Sequence, residues 1–207
     1  MDKYVIAFID LLGSRKKILN DNNGSYFNQV RGLYNDIILM LNEMDAPNIK
    51  SKIFSDNIVF ARKITNSNEV KIANLHQMIS IAAMFQLYSI IKGNCMVKGG
   101  IVFGEFYIDD IMVWSKGLVE AYELESHIEH TSPTIHIDGE AKELILNNRE
   151  KFPVVSGDDR IFVDYLQMTE LDVEDMTVLE LHRFAVLKYS MKSIKNFYKK
   201  ELMSVNQ

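Results

Sequence analysis

Tyr4-Val5-Ile6-Ala7-Phe8-Ile9-Asp10-Leu11-Leu12-Gly13-Ser14 is the stretch that decides the fold. An unbroken apolar run ending on a carboxylate reads as a strand buried on both faces, in the middle of a sheet. Gly13 then permits a tight turn in which backbone N–H groups can approach an anion closely before a helix begins. A second aspartate has a similar setting. Asp56 interrupts Lys52-Ile53-Phe54-Ser55-Asp56-Asn57-Ile58-Val59-Phe60, where Ser55-Asp56-Asn57 supplies a hairpin turn between two apolar runs. Taken singly, Asp10 reads most simply as the N-cap of the next helix and Asp56 as a turn former. Taken together, two carboxylates at strand edges suit a divalent cation, Mg²⁺ or Mn²⁺, whose remaining positions are filled by substrate phosphates.

Outward from these strands the periodicity changes. Val30, Leu33, Ile37, Leu41 and Met44 recur at spacings of three and four, which marks an amphipathic helix ending before Ala46-Pro47. Residues 49–64 read as a hairpin pivoting near Asp56, and 70–91 as a buried helix stopped by Gly93-Asn94. Residues 95–107 read as a strand pair in which Gly99, Gly100 and Gly104 signal a bend or close backbone approach. A helix over 116–129, a short strand over 133–137 and a short helix over 139–148 follow. A last helix carries Phe184, Leu187, Met191, Ile194, Tyr198 and Leu202. This order predicts an α+β fold of the ferredoxin-like, palm type, an antiparallel sheet with helices on one face. The chain reads as one domain over 1–207, with a core at about 4–137 and a C-terminal helical extension at about 138–207.

Composition narrows the partners. Of 207 residues 47% are hydrophobic and 25% charged, with few prolines and glycines, the profile of a compact soluble domain. A net charge of −5 argues against a general nucleic-acid or membrane surface, since counterion release needs clustered Lys and Arg. A phosphate ligand must therefore meet a few placed cations. Cys95 is the single cysteine, so no internal disulfide forms, and its apolar setting in Cys95-Met96-Val97 reads as a buried structural thiol. With no signal pattern and no apolar stretch of about 18 residues, the expected location is cytoplasmic.

The chain resembles a class III nucleotidyl cyclase catalytic domain, and most closely the stand-alone pyrimidine cyclases of bacterial antiphage (Pycsar) systems. The resemblance covers about residues 4–126. It is carried by Phe8-Ile9-Asp10-Leu11-Leu12-Gly13, by Lys52-Ile53-Phe54-Ser55-Asp56, by Val97-Lys98-Gly99-Gly100-Ile101 with Gly104, and by Gly117 to Glu125. The separation of Asp10 and Asp56 is close to that between the family's metal ligands. The resemblance implies that Asp10 and Asp56 bind two ions, Mn²⁺ or Mg²⁺, and that the backbone from Leu12 through Gly13 to Ser14 holds the phosphates. It also implies a homodimer with composite sites, metals from one subunit and base contacts from the other.

Departures from the purine cyclases are equally informative. Lys52 stands where they carry a base-reading lysine, but Met112 stands at their base-reading Asp, and Val119 and Glu123 at their transition-state Asn and Arg. Lys98, where pyrimidine cyclases resemble Arg-Gly-Gly or Arg-Gly-Ala, is the replacement cation the resemblance implies; by itself it reads equally as a solvated strand-edge lysine. Tyr122 either packs near the base or serves the core or a dimer contact. The implied activity is conversion of UTP to 3′,5′-cyclic UMP and pyrophosphate, a second messenger in antiphage defence. CTP is the alternative substrate, and a catalytically inactive nucleotide-binding sensor the alternative class. A diguanylate cyclase would need a Gly-Gly-Asp/Glu-Glu-Phe hairpin, which Phe54-Ser55-Asp56-Asn57 is not.

Other charged clusters read as structural. His127 and His130, with Glu125 and Glu129, fit a solvated helix end better than a metal site. Lys192, Lys195, Lys199 and Lys200 fit the outer face of the last helix, and Asp158-Asp159 a turn.

Overall fold

The computed structural model describes residues 1–43, 48–91, 93–127, 133–148, 152–157 and 160–165. β1 (Asp2–Leu11) runs antiparallel to β3 (Asn57–Lys63) on one side and to β4 (Val97–Ile108) on the other. Flanked on both edges, β1 buries Val5, Ala7, Ile9 and Leu11 on one face and Tyr4, Ile6 and Phe8 on the other, so its sequence does not alternate. β2 (Ile49–Phe54) lies beyond β3, joined to it through Ser55 and Asp56. β6 (Ile135–Ile137), β8 (Arg160–Val163) and β7 (Val154–Gly157) extend the sheet past β4, giving the order β2-β3-β1-β4-β6-β8-β7. β5 (Val113–Trp114) folds back on the end of β4.

The helices divide between the two faces. The short α1 (Ser14–Leu19) follows β1 directly. α2 (Ser25–Glu43), α3 (Asn68–Ile91) and α5 (Gly139–Leu146) build the larger core with Val5, Ala7, Ile9 and Leu11, through Leu33, Tyr34 and Ile37, Leu75 to Phe85, and Ala141 and Ile145. α4 (Lys116–Ser126) lies on the opposite face against Tyr4, Ile6, Phe8, Val102 and Phe106. Among the described residues no helix is long and apolar enough to cross a membrane.

The architecture is the expected palm-type α+β fold, and four details differ from the sequence reading. The sheet is mixed, because β4 and β6 pair in parallel; α4 provides the crossover that brings the chain back in the same direction. Helices cover both faces, since α4 packs on the face opposite α2, α3 and α5. Residues 97–108 form one strand, with a register against β1 unbroken from Asp2↔Phe106 to Leu11↔Val97. Gly100 and Gly104 admit α4 and do not bend the strand: a Cβ on Gly100 would lie 2.4 Å from the Ala121 carbonyl oxygen, whereas one on Gly99 would meet the Phe8 carbonyl oxygen of β1 at 2.4 Å. Within the expected helical extension, β7 and β8 form a hairpin that adds to the sheet, rich in the β-branched residues Val154, Val155, Ile161 and Val163. The last helix, with its lysines, lies outside the described residues, as do Glu129, His130, Asp158 and Asp159.

Candidate active site

Asp10 sits near the end of β1, half-buried, on the face that carries α4, with Asn57 and Lys98 as its cross-strand partners. Asp56 reaches the same place from the β2–β3 turn. Ser55 adopts the left-handed conformation there, with φ of 56°, a strain of about 1–3 kcal/mol that recurs at functional turns. The Asp56 carbonyl accepts the Leu11 N–H at 3.2 Å, and its carboxylate accepts the hydroxyl of buried Ser14. Gly13, with φ of 72°, makes the turn between β1 and α1 that delivers Ser14 to this bond. The Leu12 amide is committed to the Met96 carbonyl at 2.8 Å. Of the phosphate-holding stretch expected from the sequence, Gly13 and Ser14 thus keep amides at the helix start, where intrahelical partners are lacking.

Negative charge accumulates at this point. The Asp10 carboxyl is pushed up to about 7, first by burial, then by the neighbouring charges of Glu125 and Asp56, with Lys98 and the Leu11 N–H acting in the opposite direction. Lys98 is buried, not a solvated edge lysine, and its ammonium lies 2.5 Å from Glu125 Oε1. Glu125, which by sequence fits a solvated helix end, is therefore a buried partner of the site lysine. Its signal was present in α4, where Gly117, Ala121 and Glu125 recur every four residues and are the buried positions. Two small residues dock the helix on β4, and the third position of the stripe carries the carboxylate onto Lys98.

Lys52 and Tyr122 share the face but not the cluster. Lys52 pairs with Val59, which pairs with Phe8, placing Lys52 one row along the sheet from Asp10's neighbours; its ammonium donates to the Asp109 carbonyl at 3.4 Å. Tyr122 meets Phe8 edge-to-face at 5.5 Å and is half exposed. Met112, Val119 and Glu123 are exposed. His127 is exposed at the end of α4, its Nδ1 2.6 Å from the Glu123 carbonyl, a helix-end contact. Cys95 is a buried thiol, pushed up to about 11 by burial.

The donor set fits a divalent cation of the Mg²⁺ or Mn²⁺ type: hard carboxylate oxygens from Asp10 and Asp56, held by backbone and side-chain hydrogen bonds, in a half-buried spot crowded with negative charge. Among the described residues no group of three or more His, Cys, Asp or Glu side chains is placed to hold a metal ion, so the two aspartates are the whole carboxylate set offered.

No protein-family model matches the chain, and neither does any curated protein. Solved structures do. The adenylyl cyclase CyaB from P. aeruginosa superposes with a TM-score of 0.55 at 12% identity, over 78% of this chain and 91% of that one. The guanylate cyclase domain of RhGC from Catenaria anguillulae, in complex with GTP, gives 0.53 at 11% identity, over 70% and 82%. A dimeric guanylyl cyclase domain of the RhoGC fusion protein from the aquatic fungus Blastocladiella emersonii gives 0.54 at 11% identity, over 71% and 85%. The chain has the fold of the class III adenylyl and guanylyl cyclase catalytic domains.

Proposed function

We propose that this chain is a nucleotidyl cyclase acting on a pyrimidine triphosphate, UTP before CTP, with cyclic UMP and pyrophosphate as products. The observation that carries the reading is the convergence of Asp10, Asp56 and the Gly13–Ser14 turn at one point of a cyclase fold. In the reaction the ribose 3′-oxygen bonds to the α-phosphorus, the bond from that phosphorus to the β-phosphate oxygen breaks, pyrophosphate departs, and the hydroxyl proton passes to solvent. Asp10 and Asp56 would hold Mn²⁺ or Mg²⁺, which supplies charge neutralisation and Lewis acidity. Gly13 and Ser14 would orient the phosphates through their amides. Lys98 would place a fixed positive charge beside the developing pyrophosphate, an electrostatic contribution that needs no movement during the reaction.

Lys52 and Tyr122 are proposed for the base. Lysine only donates, so Lys52 favours uracil, which offers carbonyl oxygens at O2 and O4, over cytosine, whose amino group replaces one of them. Their distance along the sheet from the carboxylates, and the exposed apolar side chains on the β4–β5 hairpin (Ile111, Met112 and Trp114) and on α4 (Val119), support a homodimer in which one copy serves the other's base. A role in antiphage signalling is the biological setting we propose, by resemblance. A non-catalytic nucleotide sensor is the second reading, favoured by Val119 and Glu123 at the positions of the family's Asn and Arg. The two separate on a single assay: with Mn²⁺ and UTP, a cyclase releases pyrophosphate and a cyclic nucleotide, and loses both on Asp10→Ala, whereas a sensor binds UTP and leaves it intact.

A further inference from the structure

Lys98 has two carboxylates within reach and is bonded to the one further away in topology. It is the direct β4 partner of Asp10, and both side chains project toward α4. Directly opposed side chains on neighbouring strands stand about 4.5–5.5 Å apart at Cβ, so a lysine facing an aspartate ordinarily pairs with it. Here the ammonium is 2.5 Å from Glu125 Oε1, and no ion pair within 4.0 Å joins Lys98 to Asp10. Both members of the pair are buried, with side-chain exposures of 7% and 6%. A buried pair of this kind contributes little net stability compared with apolar residues of the same size. The contacts of Gly117 with Gly104 and of Ala121 with Gly100 bring the backbone of α4 directly onto that of β4, which delivers the Glu125 carboxylate to Lys98.

The geometry points to Glu125 as a positioning residue that draws Lys98 away from Asp10 and so leaves the Asp10–Asp56 carboxylate pair open to a divalent cation. The inference rests on the reading of that pair as the metal site. Without Glu125, the nearest anion for the Lys98 ammonium is Asp10, and a lysine closed on Asp10 competes with the cation. Glu125 thus acts through Lys98, which is what separates it from a carboxylate that merely adds negative charge.

The test is Mn²⁺ binding alone, followed by the electron paramagnetic resonance signal of free Mn²⁺, on the full chain and its variants. Glu125→Gln should weaken Mn²⁺ binding by about tenfold or more, as loss of an orienting partner does at metal sites. In a Lys98→Met background the same substitution should change it by less than about threefold, because the lysine it controlled is gone. Equal weakening in both backgrounds, or none in either, overturns the inference. If Glu125→Gln fails to fold, the apolar pair Lys98→Met/Glu125→Leu removes both buried charges together; it should bind Mn²⁺ within about threefold of wild type, and loss of binding overturns the inference. Asp10→Ala separates the layers. A wild type that binds Mn²⁺ no better than Asp10→Ala removes the metal reading and the inference together, whereas binding lost in Asp10→Ala but untouched by Glu125→Gln removes the inference alone.

Discussion

Gly104 of β4 and Gly117 of α4 meet backbone to backbone: a Cβ placed on Gly104 would lie 2.4 Å from the Gly117 Cα. Ser115 fixes this contact from one side, donating to the Glu105 carbonyl at 2.6 Å while capping the Leu118 N–H at 2.8 Å. Backbone cannot move aside as a flexible side chain can. Gly104→Ala should therefore lower stability by about 1–3 kcal/mol, measured as a fall in Tm and in the denaturant midpoint. Gly32→Ala is the control: its Cβ would meet nothing within 4 Å on α2, and alanine there should be neutral or stabilise by about 0.5–1 kcal/mol. Equal effects at the two positions would contradict the docking account.

His136 makes stability depend on pH. Burial first, and Arg160 second, lower its pKa to about 4 from an ordinary 6.5, against a smaller opposing effect of Asp138. The unfolded chain then takes up the proton at a pH where the folded chain does not, so stability falls as pH drops from about 6.5 and the loss levels off near 4. The contribution at stake is about 3 kcal/mol. Denaturant titrations at pH 7 and pH 4.5 should show a smaller decrease for His136→Gln than for wild type; an identical decrease would mean that His136 titrates normally.

Asp10→Ala and Asp56→Ala should each reduce turnover by about 10²–10³-fold or more while the circular dichroism spectrum and melting stay near wild type, because each removes charge from the reacting centre and neither fills the core. Retained turnover in either would sink the metal assignment. Ser14→Ala, which deletes the hydroxyl bonded to Asp56, should fall between, by about tenfold.

Lys98 lies opposite Asp10 of its own chain, so the two are expected to serve one site. A mixture of Asp56→Ala with Lys98→Ala chains should stay inactive, since neither chain then offers a complete cluster. Asp56→Ala mixed with Lys52→Ala should regain activity at limiting UTP if a second copy supplies Lys52. Recovery in the first mixture would place Lys98 in the partner's site.

The buried middle of the fold was legible because β1 is apolar without a break from Tyr4 to Ile9 and α3 is dominated by apolar residues from Met78 to Phe85, and the turn residues Gly13 and Ser55-Asp56-Asn57 punctuate the chain where the structure turns. The side of the sheet taken by α4 was not, since its contact is made by Gly100, Gly104, Gly117 and Ala121, residues that carry no hydrophobic periodicity. The same gap hid Glu125. A carboxylate at the end of a helix reads as solvated until the glycine contacts set the helix on β4 and bring Lys98 beneath it. The β7–β8 hairpin is not legible in the sequence because its strands are four residues each, too short for a period to emerge. Asp10 and Asp56 were readable from position alone, but the Ser14 hydroxyl that bonds the Asp56 carboxylate depends on a turn geometry that only the folded chain displays.

The central claim is the reaction and its base. Purified protein with Mn²⁺ and equal concentrations of UTP, CTP, ATP and GTP, followed by mass identification of the products, tests it most directly. The expected result is cyclic UMP as the main product, abolished by Asp10→Ala; cyclic CMP would overturn the argument from Lys52, a cyclic purine nucleotide would contradict the pyrimidine reading, and four intact triphosphates would contradict the cyclase itself.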